Sequence, residues 1–361
     1  MTVDLSLLPD GGVAWLDASG DSADVVLSTR IRLARNIDGY AFTGRAREGE
    51  RLRILSQVRD AIPGVPSLGG GVFLRVDELE ASDRQLLHER HLISKELAGL
   101  DSATGVRGGA AVLVGEGVSV MINEEDHLRL QSLRSGLGIP AAMEAIARLD
   151  KELGNRLPYA FHRDFGFLTA CPTNTGTGLR VSVLIHLPGL VLTKEFGKVR
   201  AGLQQMGLTY RGLYGEGSEV LGNFVQISNQ TTLGQSEDEL ADHLARVLKH
   251  VIQREHEARR ILWRDAGYII EDKLWRAYGT LRYARSLTFD EAMNLLSGVR
   301  LAVGLKLVTG LSVYTLNKLL IFCQSAHLAN SEGRALTDSE ADIARARFVR
   351  QALAQEVGPV A

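Results

Sequence analysis

Apolar residues along this chain fall into two regimes. Between residues 25 and 228, short apolar runs of strand length alternate with amphipathic stretches of helical length. Ala111-Val112-Leu113-Val114 and Val118-Ser119-Val120-Met121-Ile122 flank Gly115-Glu116-Gly117. That pattern predicts a hairpin with a short, Gly-containing turn. Residues 181–187 read as a buried strand and 221–228 as another. Residues 83–97, 140–153 and 193–206 read as helices, the last with Gly207 placed to end it. Past residue 235 the strand pattern stops. Ser236 with Glu239 forms a capping box. Leu240, Leu244, Val247, Leu248 and Val251 follow at helical spacing. Thr288 with Glu291, and Thr337 with Glu340, repeat the capping pattern. The chain is therefore expected to hold an α+β domain over 1–255 and an all-helical domain over 256–361. The boundary falls inside or just after a long helix.

Composition narrows the class. Of 361 residues, 45% are hydrophobic and 23% charged, which is ordinary for a soluble globular protein. Forty-one basic and 43 acidic residues leave a net charge of −2, so no global field draws the chain to nucleic acid or to a membrane. Cys171 and Cys323 are far apart and suggest neither a disulfide framework nor a zinc site. A reducing cytoplasm suits them. Asp4 and Asp10 interrupt the first residues, which show no basic, apolar signal pattern. The apolar run 299–311 contains Arg300 and Lys306 and is too short to span a bilayer.

The densest chemistry lies at Cys171-Pro172-Thr173-Asn174-Thr175-Gly176-Thr177-Gly178-Leu179-Arg180. Glycines let backbone approach a ligand, an arginine can fork onto phosphate oxygens, and a thiol beside cations ionises more readily than a free one. The decapeptide resembles the signature of the guanidino (phosphagen) kinases. Three further segments agree with that family in order. They are Ser28-Thr29-Arg30-Ile31-Arg32-Leu33-Ala34-Arg35-Asn36, Asn123-Glu124-Glu125-Asp126-His127-Leu128-Arg129, and Arg211-Gly212-Leu213-Tyr214-Gly215-Glu216-Gly217-Ser218-Glu219.

The resemblance implies a largely antiparallel sheet flanked by helices, and transfer of phosphate from ATP, with Mg²⁺, to a guanidinium. Such a reaction must neutralise a triphosphate and its metaphosphate-like transition state, and must deprotonate a guanidinium with a pKa above 12. Arg30 and Arg32, spaced i, i+2, share one face of an extended segment. With Arg129, Arg180 and Arg211 they match the family's arginine cage around the phosphates. Nucleotide contacts are expected over Ser28, Thr29, Ile31, His91, Val181, Ser182, Val183, Leu184, Gly212, Leu213, Tyr214, Gly215 and Glu216. Leu184 stands where many relatives carry a second nucleotide-contacting histidine. Arg35 fits either the cage or a structural ion pair. Glu125 matches the guanidinium clamp and general base, and Glu216 the second substrate carboxylate. Glu124 matches a residue that orients Mg²⁺ through water. Cys171 matches the thiol that positions the guanidinium, and Cys323 reads as core.

Metabolite kinases of the family carry a helical domain before the first arginine motif, whereas here Arg30 lies near the start and the helical mass follows the motifs. That arrangement resembles the bacterial protein-arginine kinases. It implies protein substrates bearing arginine, marking for Clp-type proteolysis, an activator protein and a homodimer. Trp263, Trp275, Tyr278 and Tyr283 are expected to be exposed for such contacts. The phosphoarginine-binding motif of these relatives is matched by Asp342 and Arg345, but its first arginine is Ala341 here. A small-guanidine kinase and a catalytically silent protease adaptor are the alternatives.

Overall fold

The computed structural model describes residues 3–100, 105–213 and 220–356. Three short 3-10 turns open the chain, and the last (Ala14–Leu16) buries Trp15 and Leu16. β1 (Val26–Arg35) follows, then α1 (Glu48–Ala61), β2 (Val72–Arg75), α2 (Ala81–Glu89), β3 (Ala111–Val114), β4 (Val118–Ile122), β5 (Leu128–Ser135) and α3 (Ile139–Gly154). A two-residue pair, β6 (Phe161–His162) and β7 (Gly166–Phe167), precedes β8 (Leu179–His186), α4 (Pro188–Leu192), α5 (Phe196–Gln205), β9 (Leu208–Arg211) and β10 (Phe224–Asn229). Helices complete the chain: α6 (Glu237–Tyr283), α7 (Phe289–Gly304), α8 (Val313–Phe322), α9 (Ser325–Glu332) and α10 (Asp338–Glu356).

The eight long strands form one sheet in the order β2-β3-β4-β5-β1-β8-β10-β9, antiparallel throughout. Side chains alternate between its faces. Ile31, Leu33, Leu130, Val181, Val183, Val225 and Ile227 join one core with Ile146 and Leu149 of α3 and Leu244, Leu248 and Val251 of α6. Each such side chain is worth roughly 1.5–3 kcal/mol on burial. Residues at the alternate positions of the same central strands face the other way, and they build the site.

Two expected helices are cut short. The pattern over 83–97 yields a helix only to Glu89, because His91 adopts φ 60 and Ser94 Oγ accepts the Leu97 N–H to start a new turn. The stretch 193–206 starts at Phe196, after Lys194 at φ 63. The capping box at Ser236 forms with both of its hydrogen bonds, and α6 runs 47 residues with its backbone break at Ala266 (φ −141, ψ 25).

The helical part is welded to the sheet. Leu27, Leu184, Leu213 and Phe224 share a core with Leu296, Val299, Leu316 and Leu320. Asn317 Nδ2 donates to the Leu16 carbonyl, and His186 Nε2 lies 2.8 Å from Ser297 Oγ. Glu89 of α2 accepts the N–H groups of Ala326 and His327 at the start of α9. Among the described residues no helix is long and apolar enough to cross a membrane.

Candidate active site

Strand register assembles the cage. Arg32 lies opposite Arg180, Arg30 opposite Ser182, and Ser28 opposite Leu184. Arg129 lies opposite Ala34 on the other neighbour, and Arg211 opposite Gln226. All these positions share the polar face. Arg32, Arg129, Arg180 and Arg211 line a cleft of about 440 Å³ together with Glu125 and Cys171. Arg30 Nη2 donates to Gln226 Oε1 (2.8 Å), and Arg180 Nη2 to Ser228 Oγ (3.2 Å). Burial, then repulsion from Arg180 and Arg129, push Arg30 down to about 10. Burial, then Arg30, Arg129 and Arg180, hold Arg32 well below its ordinary value. Its buried Nε has no hydrogen-bond partner. Cations crowded in this way await an anion: their mutual repulsion becomes attraction once a polyphosphate enters.

The acidic loop after β4 is rigid. Asn123 takes φ 57, and its side chain donates to the carbonyls of Arg51 and Gly109. Asp126 Oδ1 accepts from Asn36 Nδ2 and from the Ala170 N–H, both at 2.7 Å. One buried carboxylate thus joins three motifs and fixes Cys171, the next residue, relative to β1. His127 Nδ1 accepts the Ile37 N–H (3.0 Å), so its Nε2 proton points at the Ala41 carbonyl 2.9 Å away. His127 thus ties the acidic loop to the segment after β1.

Glu124 and Glu125 have different fates. Glu124 is fully buried as a side chain. Its Oε1 accepts from Ser94 Oγ (2.6 Å) and Arg129 Nη1 (2.7 Å), and its Oε2 from the Glu125 N–H (2.6 Å). Arg107 Nη1 binds its carbonyl. Glu124 as folded therefore orients Arg129 and is closed to a metal-bound water. Glu125 faces the cleft, 41% exposed, with Oε2 at 2.9 Å from Arg129 Nη2. Burial raises it above the ordinary carboxylate range; Arg129 pulls it down, while Glu124, Asp126 and Glu96 add to the rise. No cluster of three or more His, Cys, Asp or Glu that could hold a metal occurs among the described residues.

Glu96, which no motif marked, lines the same cleft. Replacing Glu96 by Gln removes a negative neighbour of Glu125. Glu125 then ionises more easily, so the acidic limb of kcat/KM is expected to move to lower pH. A pH–rate profile of Glu96→Gln that overlays the wild type would mean that solvent screens this pair.

The Cys171 loop is held by its glycines and its threonines. A Cβ on Gly176 (φ +118) would lie 2.3 Å from the Thr232 carbonyl, and one on Gly178 (φ +65) 2.6 Å from that of Ala34. Thr232 Oγ1 donates to the carbonyls of Thr173 and Thr175. Cys171 Sγ lies 3.0 Å from Thr173 Oγ1. Cys323 is fully buried, and burial pushes its thiol up to about 12.

The residues expected to contact nucleotide fall in different places. Ser28, Arg30, His91, Ser182, Leu184 and Leu213 line a second, smaller cavity beside the cleft, with Gln226. His91 is held well below its ordinary value by burial, then by Arg30, His88 and Arg32. Ile31, Val181 and Val183 belong to the core, and Thr29 Oγ1 is spent on the Gly136 carbonyl and the Gly138 N–H. The side chains of those four pack into the strands rather than line that cavity. Gly212 is buried. Tyr214, Gly215 and Glu216 lie outside the described residues.

Arg35 points away from the cleft. Its fork meets Asp150 (2.7 Å), and Nη1 donates to the carbonyls of Ala34 and Thr177. In α10, Arg345 is 2% exposed. It donates to the carbonyls of Cys323 and Leu287 and pairs with Asp342 at 2.6 Å. A phosphoarginine would have to draw Arg345 off these acceptors, and Ala341 beside it is buried. Trp263, Trp275 and Tyr283 are exposed as expected, but Tyr278 is buried in the core that holds Leu274, Leu281, Leu296 and Val299.

Residues 53–258 match the family described as ATP:guanido phosphotransferase, C-terminal catalytic domain, and residues 268–359 that described as Protein-arginine kinase McsB C-terminal domain. The chain is 44% identical to the protein-arginine kinase of Moorella thermoacetica, over 97% of this chain and 100% of that one. It is 39% identical to that of Bacillus subtilis, over 97% and 96%. Among solved structures, the duplicated taurocyamine kinase of Schistosoma mansoni with transition-state analog components superposes with a TM-score of 0.60 at 26% identity, over 71% of this chain and 35% of that one. A lombricine kinase gives 0.57 at 25%, over 67% and 70%. With relatives this similar across nearly its whole length, the chain belongs to the protein-arginine kinase family of guanidino phosphotransferases.

Proposed function

We infer that this protein transfers the γ-phosphate of ATP to arginine side chains of other proteins. The observation that carries the reading is one cleft lined by a cage of arginines together with Glu125 and Cys171. The cage neutralises the charge of the phosphates and of the loose transition state. Glu125 holds the incoming guanidinium by charge-assisted hydrogen bonds and takes the proton released as the guanidino nitrogen attacks phosphorus. The bond to the β-phosphate breaks and ADP leaves. Cys171 positions the guanidinium, and Glu216 is the second substrate carboxylate. Mg²⁺, when bound with the nucleotide, spreads the phosphate charge.

The matching test uses ATP, Mg²⁺ and either an unfolded protein or free arginine. Acid-labile phosphate on protein arginines is the expected result. Phosphate on hydroxyl residues alone would refute it. Efficient turnover of free arginine without transfer to protein would favour the small-guanidine reading.

The cytoplasm is the setting, with phosphoarginine marking clients for a Clp-type ATPase and an activator protein tuning the activity. A homodimer is supported by apolar side chains exposed along α6: Ile261, Trp263, Tyr268, Ile269, Trp275 and Tyr283. Tyr268, 87% exposed, is the sharpest probe. Tyr268→Glu is expected to halve the mass seen by sedimentation without unfolding the chain. An unchanged mass would place the contact elsewhere.

A further inference from the structure

We propose that Trp15 is a base-recognition residue, its indole N–H donating to a ring nitrogen of the purine. The proposal rests on the reading of the cleft as an ATP site. Trp15 lies in the short turn Ala14–Leu16, before the first strand and outside every motif. Its ring meets His91 edge to face, with centroids 5.3 Å apart at 85°. It walls the same small cavity as Ser28, Arg30, His91, Ser182, Leu184 and Leu213.

Three features of that cavity point to a heteroaromatic ligand. Apart from Arg30 its walls carry no cation or carboxylate: Trp15, Leu133, Leu184 and Leu213 are apolar, and His91 is held in its neutral form. Arg30 connects it to the phosphate cage, since it faces Ser182 on β8 and repels Arg180 and Arg129. The third feature is the indole itself. Trp15 is 4% exposed, yet its Nε1 has no hydrogen-bond partner. Buried donors almost always find an acceptor, and a tryptophan N–H can only donate. A purine supplies acceptor nitrogens in the plane of its ring. Leu184 can make no hydrogen bond to a base, and Trp15 brings a donor to the same cavity.

The cavity is about 10 Å³ as it stands, room for roughly one water. A base therefore enters by displacing its walls, and Trp15, on a three-residue turn rather than a long element, moves with it. Binding should change the surroundings of the indole.

The experiment uses the full chain, ADP, ATP and inorganic tripolyphosphate. ADP is expected to change the tryptophan emission of the wild type, and tripolyphosphate is not. In Trp15→Phe the ADP response should vanish, because Trp263 and Trp275 lie on α6, away from this cavity. By calorimetry Trp15→Phe should weaken ATP about 2–10-fold, the range of one hydrogen bond, and leave tripolyphosphate binding unchanged. A folded Trp15→Phe that binds ATP as the wild type does overturns the assignment. So does an equal loss for ATP and tripolyphosphate, which would mark general loosening. Should the variant not fold, the wild-type emission decides: silence on ADP binding overturns the proposal. A wild type that binds no ATP refutes the ATP reading itself.

Discussion

Glu125→Gln is expected to lose about 10²–10⁴ of the transfer rate, the usual worth of a general base, while ATP still binds. The amide keeps the shape of the side chain, and its carbonyl oxygen can still accept from Arg129 Nη2, now 2.9 Å from Glu125 Oε2. The cage is undisturbed, because Arg129 is also held by Glu124 at 2.7 Å. The lost element is a site for the guanidinium proton and half of a charge-assisted clamp. The pH dependence follows from the raised carboxyl. Only the ionised form accepts a proton, so kcat/KM should fall as pH drops through the Glu125 pKa, which burial sets above the ordinary glutamate value. The acidic limb should disappear in Glu125→Gln. Single-turnover rates measure the first effect, and ADP calorimetry checks that the nucleotide site is intact. A rate within tenfold of the wild type would remove Glu125 as the base and leave orientation by the cage as the source of catalysis.

Much of this site was legible because strand parity is legible. Arg30 and Arg32 at i, i+2 had to share a face, and the register brings Arg180 opposite Arg32 on it. The same parity, applied further, would have separated the side chains of Thr29, Ile31, Val181 and Val183 from those that line the cavity, since alternate residues of a half-buried strand face the core. Gln226 and Ser228 were accessible in the same way once β10 was placed. Trp15 and Glu96 were not. Each reaches the site from a turn outside any motif, and only tertiary packing brings it there. The helix expected over 83–97 misled for a related reason. Its apolar spacing persists through Leu92, Ile93 and Leu97, but these residues pack after a turn at His91, with the Glu89 carboxylate committed to capping α9. The end of the sheet-packed region was harder to read. α6 runs unbroken past the boundary expected near residue 255, and its backbone breaks only at Ala266, one residue before Gly267, where the helix then continues to Tyr283.

Arg35 is the motif arginine that the fold itself consumes, and Arg35→Met is expected to cost about 3–5 kcal/mol of stability. The side chain is fully buried. Nε lies 3.0 Å from Asp150 Oδ1, Nη2 2.7 Å from Asp150 Oδ2, and Nη1 2.8 Å from the Thr177 carbonyl. The guanidinium also sits 3.5 Å from the centre of the Phe167 ring, a cation–π contact. Methionine retains the apolar stem but strands Asp150, 17% exposed, with no cation, and leaves the carbonyls of Ala34 and Thr177 short of a donor. Lysine should not rescue the variant, because a single ammonium cannot fork onto the carboxylate and reach both carbonyls. Arg35→Met combined with Asp150→Leu should recover much of the loss, since the cost comes from the unpaired charge rather than from the absence of the pair. Urea midpoints of the full chain, with each transition fitted separately, measure all three variants. Activity should fall less steeply than stability, through the loop that Thr177 anchors beside Cys171. A loss under about 1 kcal/mol for Arg35→Met would mean that water reaches Asp150 and that the buried fork is not what holds β1 to α3.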